Sequence, residues 1–139
     1  MRRSRLILPH AASALLAWAA GTQPVDAAAA TALPTRSSSE QMVTITVTLH
    51  DLNAASWKFD VVLNTHVQPL DDDLAKSAAL VDASGQRHAP IAWRGDAAGG
   101  HHRKVVLTFA PLQPRPPSLE LQIRRAGESK PRSFKWQLQ

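Results

Sequence analysis

Residues Val43, Ile45, Val47 and Leu49 alternate with Thr44, Thr46, Thr48 and His50, and no other stretch of the chain narrows its fold as much. A period of two puts the four aliphatic side chains on one face of a strand and the hydroxyls and imidazole on the other. β-branched residues on both faces favour extended backbone. The run therefore predicts a half-buried β-strand.

The same period recurs. After turn chemistry at Asp51-Leu52-Asn53, residues Trp57, Phe59, Val61 and Leu63 share one face, with Lys58, Asp60 and Asn64 on the other. Val105, Leu107 and Phe109 repeat the pattern, as do Leu119, Leu121 and Ile123, and then Phe134, Trp136 and Leu138. Asp71-Asp72-Asp73 reads as the acidic opening of one helical turn, with a short strand following at Ala79-Leu80-Val81. His88 to Trp93 reads as a strand that Pro90 confines to a sheet edge or a bulge. Turns or loops fall at Asp82-Ala83-Ser84-Gly85, at Arg94 to Gly100 and at the proline-rich stretch from Pro111 to Pro117. Seven strands result, at about 42–50, 56–64, 79–82, 87–93, 102–109, 118–125 and 132–138. Seven short strands without a long helix predict an all-β, immunoglobulin- or fibronectin-like β-sandwich over residues 42–139, with a small open barrel as the alternative.

Ahead of that domain, Arg2, Arg3 and Arg5 precede an apolar stretch from Leu6 to Ala20, and Val25-Asp26-Ala27 offers small residues to a signal peptidase. This order predicts a cleaved secretory signal peptide over 1–27. The apolar stretch is interrupted by Pro9 and His10 and is short of the roughly 20 residues of a spanning helix. No membrane span is expected after cleavage, and the localisation expected is periplasmic or secreted. Residues 28–41, rich in alanine, serine and threonine, read as a flexible leader. With residues 1–27 removed, the formal net charge falls from +5 to +3. The remaining lysines and arginines are scattered without interleaved aromatics, which argues against nucleic acid as a partner. The chain has no cysteine, excluding disulfides, thiolate catalysis and thiolate metal ligands.

Gly99-Gly100-His101-His102-Arg103 is the segment with the most chemical potential. Adjacent side chains on a strand point to opposite faces, but a glycine pair relaxes that constraint. In an immunoglobulin-type sandwich the second and fifth strands lie antiparallel in one sheet. That arrangement brings His66 toward His101 and His102, gathers Asn64, Asp71, Asp72, Asp73 and Asp96 at the same end, and leaves His50 and His88 at the other. Two or three imidazoles with a carboxylate suit copper or zinc. The candidate metal ligands are thus His66, His101, His102 and Asp96, with Asn64 and Arg103 beside them. The competing structural reading is that these side chains satisfy backbone groups and fix two loops. Asp71 to Asp73 read as helix capping in preference to a calcium site. Asp60 is expected to pair with Lys58 or Lys104, and Trp57, Trp93 and Trp136 fall on inward parity as core residues rather than as a carbohydrate platform. There is no G-x-S-x-G, H-E-x-x-H, phosphate-binding or dinucleotide motif, so no turnover is expected.

At Asn64-Thr65-His66 and Gly99-Gly100-His101-His102-Arg103 the chain resembles poorly characterised exported bacterial proteins that carry a threonine-histidine loop followed by a Gly-Gly-His-His segment. The resemblance covers roughly Thr44 to Phe109 and implies joint action of these histidines without an assigned activity. In architecture the chain is also similar to periplasmic copper-carrier sandwiches of the CopC type, although their Met-rich and N-terminal histidine ligands are absent here. The functional expectation is an exported, non-catalytic binding protein with a copper or zinc site made by the loop-end histidines. Two alternatives stand beside it: a structural or protein-interaction module of the cell envelope without metal, and a hydrolase using a metal-bound water.

Overall fold

The structure is a computed structural model that describes residues 33–138. The expected signal peptide and the first residues of the expected leader lie outside the described residues. Two antiparallel sheets stack face to face, with nine strands among the described residues: β1 (Arg36–Glu40), β2 (Val43–Leu52), β3 (Trp57–Thr65), β4 (Ala78–Val81), β5 (Arg87–His88), β6 (Ala92–Gly95), β7 (His102–Phe109), β8 (Ser118–Ile123) and β9 (Arg132–Gln137). The first sheet runs β1-β2-β3-β7-β6 and the second β5-β4-β8-β9. A single helical turn, α1 (Leu74–Ser77), precedes β4, with Asp73 accepting from the Ala75 N–H as its N-cap.

Period-two patterning explains the core. Val43, Ile45, Val47, Leu49, Trp57, Phe59, Val61, Leu63, Val105, Leu107 and Phe109 from the first sheet are buried against Leu80, Leu119, Leu121, Ile123, Phe134 and Trp136 from the second. Phe59 sits at the centre, edge-on to Phe109 at 5.6 Å between ring centroids and tilted against Trp136 at 5.7 Å.

Three expectations require correction. Arg36–Glu40, assigned to the flexible leader, forms β1 and pairs along its length with β2. Its composition is polar because its outer face is a hydroxyl ladder, with Thr35 to Thr48 at 2.9 Å, Ser37 to Thr46 at 3.3 Å and Ser39 to Thr44 at 2.8 Å. The single strand expected over 87–93 is two, because the chain leaves the second sheet after His88, passes Pro90 and joins the first sheet at Ala92. Proline cannot donate to a ladder, so the crossing falls there. Trp93 is 47% exposed and lies outside the core. It opposes the buried Leu107, so its inward parity is real, but β6 is the sheet margin and β5, the corresponding edge strand of the second sheet, is only two residues long.

The two margins of the sandwich differ. On the β1 side the sheets are tied together: Arg36 Nε donates to the Lys135 carbonyl at 2.9 Å and Trp136 Nε1 to the Pro34 carbonyl at 2.7 Å. Arg132 on β9 donates to the Ser38, Glu40 and Val43 carbonyls at 3.1, 2.8 and 2.7 Å. On the other side, β6 is exposed at all four residues and β5 is two residues long.

Candidate functional site

The loops that follow β3, precede β7 and join β8 to β9 meet at one end of the sandwich. Thr65 N donates to the His101 carbonyl at 2.9 Å, Leu70 N to Gly100 O at 3.0 Å and Gly99 N to Leu70 O at 3.0 Å. Gly99 and Gly100 take φ of 113° and 68°, which a side-chain-bearing residue resists, and so let this short ladder form. The loops bearing His66 and the His101-His102 pair are thus laced together by their backbones, and all three imidazoles are exposed.

What each candidate side chain does is more specific. His102 Nδ1 is 2.5 Å from Asn64 Oδ1, across a directly opposed pair of β3 and β7 residues. The amide oxygen can only accept, so Nδ1 is the donor in this contact, and Nε2 makes no hydrogen bond among the described residues. Asp96 is committed to the backbone, its Oδ2 accepting from Lys104 N at 2.7 Å. Arg103 is 3% exposed and points into the domain, where its guanidinium donates to the Leu70, Asp72 and Asp96 carbonyls at 3.4, 2.6 and 3.2 Å. No group of three or more His, Asp or Glu side chains is arranged to hold a metal ion among the described residues. Of the acidic triplet, Asp73 caps α1 and Asp72 reaches Arg125 Nε at 2.8 Å, while Asp71 stays exposed. Asp60 pairs with His50 at 3.4 Å, not with Lys58 or Lys104.

Beneath the loops lies a buried ionic chain that the sequence reading missed. Arg125 bridges Asp72 and Glu128, and Glu128 accepts from Arg132 at 2.5 and 3.1 Å. Two carboxylates and two guanidiniums neutralise each other there. The available signal was parity: Arg125 and Arg132 share the inward register of Ile123 and Phe134, as Arg103 shares that of Val105. A cleft of about 830 Å³ opens over this chain and is rimmed by Asp71, Asp73, Lys76, Arg87 and Arg124. Ser77, whose buried hydroxyl has no hydrogen-bond partner among the described residues, lies in its wall.

At the opposite end, a groove of about 690 Å³ runs between the β4–β5 turn and the proline-rich segment, with Ile91, Leu112, Pro114 and Pro116 supplying apolar wall. Asp82 accepts from the Ser84 hydroxyl at 2.6 Å and approaches His88 Nε2 at 2.9 Å. These contacts, the Ser84 hydroxyl foremost, hold the Asp82 carboxyl well below the usual carboxylate range. The serine bonds to the aspartate and not to the histidine, so the three do not form a nucleophile relay. Ile91 is 62% exposed at the mouth of this groove, and two residues on stands Trp93. Compared with protein-family models, curated proteins and solved structures, the chain matches none.

Proposed function

We propose that the chain is an exported, non-catalytic binding module of the cell envelope that docks a protein partner along the open margin of its sandwich. The observation that carries this reading is β6, an edge strand exposed throughout, with Trp93 half-exposed on it and Ile91 beside it. Exposed aromatic and aliphatic side chains grouped at a sheet edge mark a surface fit to contact a partner. Export rests on the basic and then apolar first 27 residues. The strand order supports an immunoglobulin-like assignment. With β1 and β5 set aside as additions, β2-β3-β7-β6 and β4-β8-β9 follow the four-plus-three order of a constant-type domain.

The test is a photo-crosslinking residue introduced singly at positions 91, 93 and 48 in cells that export the protein. Positions 91 and 93 are expected to give a discrete adduct that position 48, on the hydroxyl-rich face, does not. Absence of adducts at 91 and 93 overturns the proposal.

One observation favours a second reading, a copper or zinc site at the loop end: Asn64 accepts from Nδ1 of His102 and leaves Nε2 without a hydrogen-bond partner among the described residues, as second-shell partners do for metal-bound imidazoles. His66 or His101 would complete a two-imidazole site. Calorimetric titration of the purified protein with Cu(II) and Zn(II) is expected, on this reading, to give heat that His102→Ala abolishes. No heat with the unaltered protein removes it.

A further inference from the structure

We infer that the open margin recognises an extended, acidic segment of its partner, added as a strand to β6 and running on into the neighbouring groove; this rests on the docking reading above. Three observations converge on that chemistry. The first is geometric. Alternate N–H and C=O groups of an edge strand point away from its one neighbour and are free to pair with an incoming chain. β6 is such a strand, bonded among the described residues to β7 alone, whereas the opposite edge, β1, is tied to β9 by Arg36. β6 ends at Gly95, where it is pressed against β7 so closely that a Cβ would stand 2.3 Å from the Lys104 carbonyl.

The second observation is the placement of apolar side chains. Ile91 and Trp93 are two residues apart, and Trp93 opposes the inward-facing Leu107. A strand added at this edge with its own apolar residues at every second position would set them against these two. The groove continues the surface, since Ile91 belongs to both.

The third is charge. Arg94 opposes Val106 on the outer face of the sheet, and Arg87 and Arg115 line the groove. Arg94 and Arg115 are exposed and take part in no ion pair among the described residues. Asp82, the carboxylate lining the groove, is taken up by Ser84 and His88. Carboxylates on alternate residues of the incoming strand would meet Arg94 on the outer face and leave the other face of the strand apolar, and a carboxylate on the segment that runs on into the groove would meet Arg115.

The experiment uses the purified protein and two capped nine-residue peptides, one alternating glutamate with valine and one alternating lysine with valine, followed through backbone amide and indole NMR shifts. The glutamate peptide is expected to shift Ile91, Trp93 and Arg94 and to bind at least about fivefold more tightly than the lysine peptide, with the difference shrinking as salt is raised. Arg94→Glu is expected to reverse the preference, and Ile91→Ser or Trp93→Ala to weaken both peptides with shifts elsewhere unchanged. Equal affinity for the two peptides, or shifts confined to the histidine loops, overturns the acidic segment. In-cell adducts at position 93 alongside equal affinities overturn this inference alone, whereas loss of the adducts overturns the docking reading beneath it.

Discussion

Three arginines at one end of the domain do work that solvent-exposed arginines do not. Arg103, Arg125 and Arg132 are all at most 5% exposed, and each satisfies its guanidinium on loop carbonyls or carboxylates. Arg103 has no acidic partner; it is held by the carbonyls of Leu70, Asp72 and Asp96, so it spans the two loops that flank the histidines. Arg103→Met would keep the apolar stem and leave those carbonyls short of a donor. The expected cost is about 2–3 kcal/mol in a urea melt, with amide exchange rising first across 68–72 and 96–101. Asp82 behaves differently because its partners are hydroxyl, imidazole and backbone N–H. Its carboxyl is held below the ordinary value of 3.8, so its stabilising contribution is full above that pH and is lost as the pH falls toward the native value. Ser84→Ala, which removes the largest cause, is expected to move the Asp82 titration up toward 3.8 in a carboxyl ¹³C NMR experiment.

At the scale of elements, the β1–β2 hairpin turns on Gln41 and Met42, with φ of 46° and 61°. Two-residue hairpins of this hand prefer Asn-Gly, because side chains are strained at positive φ. The strain is held by contacts to backbone oxygens: Thr65 Oγ1 donates to Met42 O at 3.0 Å and Gln68 Nε2 to Gln41 O at 3.1 Å. Because those contacts do not depend on the turn side chains, the Gln41→Asn, Met42→Gly variant is expected to gain about 1 kcal/mol in thermal and denaturant melts. The same turn shows where the sequence stops being readable. Alternating apolar residues from Val43 to Leu138 located both sheets and nearly the whole core, since burial on one face leaves a period-two trace. Gln-Met carries no turn signal and Arg36–Glu40 no apolar face, so β1 left no trace; its stability comes from pairing and from Arg132, far away in the chain. The histidine loops were legible through strand order. The part played by Trp93 was not, because parity tells which face a residue occupies and not whether a second sheet lies above it.

For the whole molecule, the unequal margins follow from long-range contacts, of which Arg132 makes the most. Arg132 lies on β9 in the second sheet, yet three of its hydrogen bonds go to Ser38, Glu40 and Val43 around the first hairpin, and its charge is met by Glu128, which Arg125 and Asp72 continue. The margin beside β1 is therefore closed by Arg132, which the ionic chain holds in place, together with Arg36 and Trp136, while the β5–β6 margin has no equivalent tie among the described residues. In a buried chain of this kind, removing one member leaves the others uncompensated in a poorly polarisable setting, which costs more than the pair contributes. Arg132→Met strands Glu128 and the three carbonyls, and the expected loss is about 3–5 kcal/mol. Arg132→Met with Glu128→Leu removes both charges of that pair, and although it leaves Arg125 with Asp72 alone, it is expected to recover part of the loss. The measurement is a pair of guanidinium melts with hydrogen exchange on each variant. Exchange is expected to rise at β1 and the turn and to stay unchanged at β6. A uniform rise at both margins would mean that the closed side does not depend on this chain, and that the asymmetry which leaves β6 open has another origin.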